Sequence, residues 1–571
     1  MTTLDTHQTT CDCDAGSALA SWAKLDTVTW SAPPPSAARP IATAAVADTL
    51  ITGKIHTLDP QRPRAEAIGV RDGHIIAVGD RGELEGVVGP DTTMIDAGDG
   101  AIYPGLIEPH MHYWGSALTL DWVDCSTRDG ADLDAIVAAL KAAGPVLADW
   151  VLGNSYDPSL LPGEPDLTRT ILDAAIPDRP VLVMNASMHF VYVNSVALDR
   201  AGLHDDTPDP VGGFYGRHDG RLTGVVGELA AIEPLLAALP QPSVEQLLAN
   251  LVRINHNALA AGYTRTQDAA TGGVLGPAEV SLFHQADLAG RVGYAILDPI
   301  AEKILSNGLT PFAGDDMCRA TAWKLVADGS NQGRSGYQRE NYLGRDFRGS
   351  PNYETGALIE RMRLAHGLGW PIMVHANGDA EIDQALRAFA AVLAGHTGLA
   401  LRHRIEHCSF THPDQLTLMA ELGVSPSFLM NHVYYWGDTF IENVVGAQKA
   451  ALLDPFASAR ALGMRVTMHS DYTVTDFQPF REIQTAVTRR TRVSGTVLNP
   501  AECVSAEEAL RAKTIDAAWQ THCDDVSGSI EVGKYADLVQ LDADPLAVDP
   551  DAIADTQVLR TFVGGTAVYT C

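Results

Sequence analysis

The hydrophobic pattern of the chain is β-like near both of its ends. Short β-branched runs alternate with polar turns, and one run contains Asp72-Gly73, a two-residue signal for a β-hairpin. Because the two ends of a domain often lie close together, these runs predict one small composite β-sandwich domain. The runs are residues 47–58, 67–78, 101–107, 528–542 and 557–569, and the predicted domain comprises 41–104 and 525–571.

The middle of the chain has a different pattern, in which short apolar runs alternate with Ala- and Leu-rich helical stretches. Roughly seven or eight strand–helix units predict an α/β fold, specifically a (β/α)8 barrel of the TIM type. We assign the barrel to 105–524, with an insertion around 115–250. The predicted strands are 181–185, 264–267, 323–327, 371–375, 401–407, 423–426 and 465–470. The predicted helices are 244–261, 354–368, 380–393 and 413–422.

The first 40 residues are interpreted as an N-terminal extension. They are polar and end in a Pro-rich stretch, so they are expected to add little to either core. Their Cys11-Asp12-Cys13 segment has no second cysteine pair beside it, which argues against a metal site there. The whole chain has 571 residues, which exceeds the roughly 250–300 residues at which a single core stops growing.

Composition narrows the classes of partner. Lys and Arg number 40 against 71 Asp and Glu, and the net charge of −31 disfavours nucleic acid and anionic membranes. No apolar run reaches the roughly 18 residues of a membrane helix, no secretory signal is recognisable, and the 8 cysteines are sparse. We expect a cytoplasmic protein with reduced thiols and a small-molecule substrate. A homodimer or another homo-oligomer is also expected.

The first chemical signal is the pair His110 and His112, which follows the apolar run 103–107. On a strand, positions i and i+2 point the same way, so both imidazoles can reach one ion. Taken alone, the pair is better explained as two histidines at an exposed strand end. The context favours an ion, because active sites of β/α barrels lie at the carboxyl ends of the strands.

Further chemically active residues end other predicted strands. His375, His407 and Asp471 each close an apolar run, and Lys324 lies within one. A lone histidine after a strand is usually structural, but several histidines and an aspartate in this position are hard to explain as core filling. Imidazole and carboxylate ligands suit a borderline divalent ion such as zinc. For Lys324, the spacing alone favours a salt bridge or a solvated amine.

In this order the motifs resemble the amidohydrolase superfamily, in its amidohydrolase-3 or YtcJ-like branch, which includes N-substituted formamide deformylases. The resemblance covers about residues 45–570. Glu108-Pro109 departs from the more typical Asp-Ser, and 331–336 depart from the usual sequence although Arg334 matches a common arginine. The matching segments are 104–107 with the histidine pair, Lys324 with 328–330, 375–379, 402–407, Ser470-Asp471, Gly528-Ser529, Gly533-Lys534 and 536–538.

The resemblance implies a metal-dependent hydrolase barrel and a composite β domain. Lys324 matches the position at which relatives carry a carboxylated lysine that bridges two metals. The expected cofactor is therefore zinc, as one or two ions, with two ions bridged by carboxylated Lys324 preferred. An unmodified Lys324 favours a single ion. The other implied ligands, from the first, fifth, sixth and eighth strands, are His110, His112, His375, His407 and Asp471.

The expected reaction is hydrolysis of an amide-type carbon–nitrogen bond. A bound divalent ion lowers the pKa of water from about 15.7 towards about 7, which supplies a nucleophile at neutral pH. Asp471 is suited to take the proton of this water and to deliver it to the leaving amine. His189 follows the predicted strand 181–185, and it either hydrogen-bonds the oxyanion or packs in the core, with equal support.

The sequence says less about the substrate than about the metal site. Aromatic side chains at a barrel mouth suit an apolar substrate group, and ordinary loop packing explains them equally well. An N-substituted formamide or N-acyl compound is the sharpest expectation, and a deaminase or cyclic-amide hydrolase with the same metal site is the alternative. A non-catalytic binding or scaffold protein is disfavoured because the ligand set is complete. The predicted substrate contacts are Trp114, Arg334, His432 and Trp436.

Overall fold

The computed structural model describes residues 46–128, 130–161, 163, 166–210 and 213–571. The predicted extension 1–40, with Cys11 and Cys13, lies outside the described residues. The strands of the described ranges are β1 (Thr49–His56), β2 (Arg64–Arg71), β3 (His74–Gly79), β4 (Thr93–Pro104), β5 (Leu106–Met111), β6 (Val123–Asp124), β7 (Val151–Tyr156), β8 (Val181–Asn185), β9 (Phe190–Val193), β10 (Phe214–His218), β11 (Arg221–Gly227), β12 (Tyr263–Thr271), β13 (Arg291–Leu297), β14 (Cys318–Val326), β15 (Ile372–Ala376), β16 (Arg404–His407), β17 (Ser425–Phe428), β18 (Thr467–Met468), β19 (Leu538–Leu541), β20 (Val558–Val563) and β21 (Thr566–Thr570).

Helices connect most of these strands, and the long predicted helices are found within one residue of their expected ends. No helix in the described part of the chain is both long and apolar enough to cross a membrane. The α-helices are α1 (Tyr113–Thr119), α2 (Leu133–Ala143), α3 (Arg169–Ala175), α4 (Ser195–Arg200), α5 (Leu229–Ala238), α6 (Val244–Ala260), α7 (Ala278–Gln285), α8 (Asp298–Leu305), α9 (Thr355–Gly367), α10 (Asp379–Leu393), α11 (Pro413–Leu422), α12 (Asn431–Thr439), α13 (Ala447–Ala450), α14 (Phe456–Ala461), α15 (Pro479–Thr488), α16 (Ala506–Ala512) and α17 (Ile515–Gln520).

One sheet joins the two ends of the described chain, in the strand order β21-β20-β19-β4-β1-β2-β3. Antiparallel pairing of β19 with β4, which sets Val539 opposite Tyr103, ties the carboxyl-terminal strands to the amino-terminal ones. The predicted hairpin is present: Asp72 and Gly73 join β2 to β3 with φ of 49° and 78°. Positive φ at both positions is what a type I′ turn requires, and Asp-Gly tolerates it.

Eight parallel strands of the described residues form the barrel, in the order β18-β17-β16-β15-β14-β13-β12-β5. Hydrogen bonds connect the two end strands just beyond their last residues. The His112 N–H donates to Tyr472 O at 2.9 Å, and the Ser470 N–H donates to Glu108 Oε2 at 3.1 Å. The predicted TIM-like barrel with an additional domain is confirmed, although β13 was not among the predicted strands.

The predicted strand 181–185 lies within the insertion expected around 115–250 and outside the barrel sheet. The strand forms at these residues, as β8, but it lies in a third sheet with the order β10-β11-β9-β8-β7-β6. Every residue of β8 is buried, as in a barrel strand, so an apolar run alone does not reveal which sheet it joins. This sheet is inserted between β5 and β12, and it carries His189 in the connection from β8 to β9.

His403, just before β16, should make folding stability depend on pH. Its Nδ1 accepts a hydrogen bond from the Ile372 N–H at 3.0 Å, and its Nε2 lies 3.0 Å from His366 Nδ1. Burial, helped by the charge of His366, lowers the pKa of His403 from 6.5 to about 3. As the pH falls below 6.5, His403 is therefore protonated in the unfolded chain but not in the folded protein. This difference destabilises the folded state relative to the unfolded one.

We expect the protonation of His403 in the unfolded chain to lower the free energy of unfolding by about 2 kcal/mol when the pH is lowered from neutral to about 5. Urea unfolding of the wild type and of His403→Gln, which cannot protonate in this range, measures the effect. The stability advantage of the wild type over the variant should shrink by about that amount at the lower pH. An advantage that stays constant with pH would contradict the assignment.

Candidate metal centre

Most of the predicted ligands converge at the carboxyl ends of the barrel strands. His110 is the penultimate residue of β5, His407 is the last residue of β16, and Asp471 lies just after β18. One ligand atom each from His110, His112 and Asp471 lies within 4.8 Å of the other two. Their positions follow from the parallel sheet, because strands that run in the same direction end on the same rim.

Asp471 is the centre of this group. Its Oδ1 lies 3.1 Å from His112 Nε2 and 3.5 Å from His110 Nε2, and its Oδ2 lies 3.8 Å from His407 Nδ1. Lys324 is buried in β14, and its Nζ lies 3.4 Å from His110 Nε2. One carboxylate, three imidazoles and one amine therefore share a small, largely buried volume.

The electrostatic environment favours the protonation states that bind metal. Burial, and after it the charge of Lys324, lowers the pKa of His110, and burial likewise lowers the pKa of His407. Burial raises the pKa of Asp471, but the hydrogen bond and charge of His112 lower it more, so the net pKa is below the usual value. His110 and His407 are therefore neutral and Asp471 is ionised, which are their ligating forms.

Lys324 has a large pKa shift. Burial lowers the pKa of its amine from 10.5 to about 8, against the opposing charges of Glu406 and Asp471. A substantial fraction of the amine is therefore neutral near physiological pH. Neutral nitrogen and carboxylate ligands at this spacing fit a borderline divalent ion, so the chemistry of the donor set agrees with the metal predicted from the sequence.

His375 lies beside this group rather than within it. Its ring centre is 4.5 Å from that of His407, but its Nδ1 lies 3.0 Å from Asp328 Oδ1 and its Nε2 3.2 Å from Asn377 Nδ2. Among the described residues, it belongs to neither of the groups whose ligand atoms approach within 4.8 Å. Its role as a metal ligand stays a prediction.

His189 reaches the barrel from the inserted sheet. Its Nδ1 donates to Glu228 Oε2 at 2.9 Å, and its ring centre lies 6.1 Å from that of His375. Burial lowers the pKa of His189, but the charge and hydrogen bond of Glu228 raise it more, so the net pKa is raised. The structure thus places beside His375 an imidazole whose charged form Glu228 favours, and its oxyanion role stays a prediction.

Two of the predicted substrate contacts, His432 and Trp436, lie on α12. His432 Nδ1 is 3.5 Å from Ser409 Oγ, and burial lowers the pKa of His432 to about 4 although the charge of Asp471 acts to raise it. Trp436 is buried, and its Nε1 donates to Asp157 Oδ2 of the inserted sheet at 2.8 Å. His432 is therefore a neutral group within the electrostatic reach of Asp471, whereas the indole N–H of Trp436 is already engaged.

The other two predicted substrate contacts, Trp114 and Arg334, have partners within the protein. Trp114 is buried, with its ring edge-on to Phe283 at 5.1 Å. Arg334 donates from Nη2 to Asn443 O at 2.9 Å. These contacts match the packing interpretation left open by the sequence, and the substrate role of both residues stays a prediction.

The sequence matches the model of the amidohydrolase family, Amidohydro_3, over residues 93–569. The chain belongs to the amidohydrolase family. The predicted YtcJ-like branch is thereby confirmed, and the chain is a metal-dependent hydrolase that acts on carbon–nitrogen bonds.

Individual relatives of this amidohydrolase match along almost their whole length. An N-substituted formamide deformylase of Arthrobacter pascens is 29% identical over 542 residues, which cover 91% of this chain and 98% of the relative. The putative amidohydrolase YtcJ of Bacillus subtilis is 26% identical, with 90% of this chain and 98% of YtcJ covered. The crystal structure of an uncharacterized metal-dependent hydrolase from Pyrococcus horikoshii shares the fold, with a TM-score of 0.71, 22% identity and coverage of 88% and 99%.

The amidohydrolase site contains a carboxylate that the sequence did not reveal. Glu406, buried at the end of β16, makes a short hydrogen bond to His110 Nδ1, which leaves Nε2 to face the cluster. Arg404 holds this carboxylate with a 2.6 Å contact from Nε to Glu406 Oε1, and it donates to Pro109 O at 2.7 Å. A carboxylate behind a ligating histidine fixes its tautomer and raises its basicity.

We expect Glu406→Gln to weaken metal binding by about 10- to 100-fold, because the amide keeps the hydrogen bond but loses the charge behind His110. Competition with a fluorescent chelator measures the dissociation constant. Glu381→Gln is the matched control, since Glu381 is also buried and its pKa is raised by burial to about 10, so it is already neutral. Equal affinity in Glu406→Gln and the control would exclude this role.

Glu108, which stands where the family more often has aspartate, is engaged in buried hydrogen bonds. Its Oε2 accepts hydrogen bonds from the Ser470 N–H at 3.1 Å and from Lys513 Nζ at 3.3 Å. Lys513 also donates to Glu482 Oε2 at 2.9 Å, and all three side chains are fully buried. Glu108 therefore joins β5 to the loop after β18, and its carboxylate is engaged by Ser470 and Lys513.

Proposed function

We propose that this amidohydrolase is a zinc-dependent enzyme that hydrolyses the carbon–nitrogen bond of an N-substituted formamide or a related N-acyl compound. The observation that carries the proposal is the convergence of Asp471 with His110 and His112 beside the buried Lys324. The deformylase of Arthrobacter pascens, 29% identical over nearly its whole length, supports the substrate class.

The proposed chemistry divides between the ion and the protein. When bound, the zinc supplies an activated water and polarises the substrate carbonyl. Asp471, kept ionised by His112, accepts the proton of the attacking water and passes it to the nitrogen of the leaving amine. His189, in the protonated form that Glu228 favours, donates a hydrogen bond from Nε2 to the oxygen on which negative charge develops.

Lys324 is proposed to be carboxylated and to bridge two ions. Carboxylation requires a neutral amine, and the buried position of Lys324 favours that form. The neutral amine would add carbon dioxide and release a proton, and the resulting carbamate anion would stand where an ammonium group would otherwise lie beside His110. His407 and His375, whose rings are 4.5 Å apart, are the other two imidazole ligands proposed for this centre.

A substrate panel tests the proposal. Amine release should be measured for N-substituted formamides, N-acyl amino acids and cyclic amides, and ammonia release for aminated heterocycles. The proposal expects the highest kcat/KM for formamides or N-acyl compounds. Preferential ammonia release, or preferential opening of a cyclic amide, would instead assign the same centre to deamination or cyclic-amide hydrolysis.

A further inference from the structure

We propose that His469 is a direct ligand of the ion that His110 binds. The inference rests on the proposed function, since it requires that the centre holds a divalent ion. His469 is two residues before Asp471 at the end of β18, which is the same i, i+2 relation that joins His110 and His112.

The position of the His469 ring is that of a ligand. The side chain is fully buried, it stacks on His110 with ring centres 4.7 Å apart, and its Nε2 lies 3.1 Å from His407 Nδ1. One nitrogen each from His110, His407 and His469 lies within 4.8 Å of the other two. Two ligand nitrogens of a tetrahedral zinc ion, each about 2.0–2.1 Å from the metal, are about 3.3 Å apart, which is close to the observed spacing.

A chain of hydrogen bonds leads from Gln520 to Nδ1 of His469. Gln520 Nε2 donates to Pro426 O at 2.8 Å, and its Oε1 accepts from Thr467 Oγ1 at 2.6 Å. Thr467 Oγ1 also lies 2.8 Å from Ser427 Oγ.

Ser427 Oγ, at the end of this chain, lies 2.9 Å from His469 Nδ1. This contact engages Nδ1 and leaves Nε2 facing the ligand group, and the proposal places the imidazole proton on Nδ1, where Ser427 accepts it. Metal-binding histidines have this arrangement, in which the other ring nitrogen donates to a fixed acceptor.

The alternative is that His469 only positions His407, by accepting a hydrogen bond from His407 Nδ1. Both possibilities lower metal affinity when His469 is replaced, so affinity alone does not separate them. They differ in the coordination of the ion, because only a direct ligand changes the ligand field when it is removed.

The experiment replaces the metal of the full-length enzyme by Co²⁺ and compares the wild type with His469→Phe, which keeps the ring volume and removes both nitrogens. His284→Phe is the control, because His284 lies on α7, outside the ligand group. Thermal unfolding of the metal-free proteins verifies folding. Visible absorption reports the coordination, and chelator competition gives the dissociation constant.

We expect His469→Phe to bind Co²⁺ at least about 100-fold more weakly and with a changed visible spectrum, while the control matches the wild type. Ser427→Ala should weaken binding by a smaller factor and leave the spectrum unchanged. An unchanged affinity, or a weaker affinity with an unchanged spectrum in His469→Phe, would overturn the inference. A wild type that binds no Co²⁺ would contradict the proposed function itself.

Discussion

Asp471→Asn should lower kcat by about 10²- to 10⁴-fold at saturating zinc, because an amide cannot accept the proton of the attacking water. The substitution also removes the negative charge that lies 3.1 Å from His112 Nε2 and 3.5 Å from His110 Nε2, so zinc affinity should fall as well. Kinetics with the preferred substrate at several zinc concentrations separate the two effects. The loss of kcat should persist when the metal content equals that of the wild type.

The matched control for this prediction is Asp476→Asn. Asp476 is on the same connection, but its side chain is half exposed and pairs with Arg128 at 3.3 Å. We expect the control to keep the kcat of the wild type. Turnover by Asp471→Asn within about 10-fold of the wild type at full metal content would show that another group moves the proton.

Lys324→Met should cost about 10²- to 10³-fold in kcat/KM, which corresponds to the several kcal/mol that a bridged second ion contributes to the transition state. Methionine fills the buried volume but cannot be carboxylated. Metal analysis should therefore find fewer ions per chain than in the wild type. Native mass spectrometry of the wild type in bicarbonate should show the added carbon dioxide, and the variant should lack it.

Lys303→Met on α8 is the control for a lost lysine, and it should retain both activity and metal content. An active wild type with one tightly bound ion and an unmodified Lys324 would contradict the bridged two-ion centre. In that case the ligands would be those grouped around Asp471, and Lys324 would act as a buried charge beside His110.

Local signals in the sequence were sufficient for the framework of the molecule. Asp72-Gly73 predicted its hairpin because a two-residue turn needs residues that tolerate positive φ, a property of the residues themselves. The predicted ligands His110, His407 and Asp471 converge because parallel strands end on one rim, so sequence position relative to a strand specifies spatial position. The pairing of β8 with β7 and β9 was not predictable in this way, because an apolar run does not show which strands it will pair with.

The supporting residues were missed because their partners are distant in sequence. Glu406 and His110 are 296 residues apart, and only the closure of the barrel reveals that they form a hydrogen bond. His469 was different, since its spacing from Asp471 repeats the spacing within the His110 and His112 pair. Applying the i, i+2 rule to every strand end would have identified it from the sequence.

The most direct test of the account is the hydrolysis of an N-substituted formamide before and after complete removal of metal. The account predicts that the metal-free enzyme has no measurable turnover, that added zinc restores it, and that His110→Ala is inactive in both states. Full activity of metal-free enzyme, with His110→Ala equally active, would contradict the claim that His110, His112 and Asp471 form the catalytic metal centre.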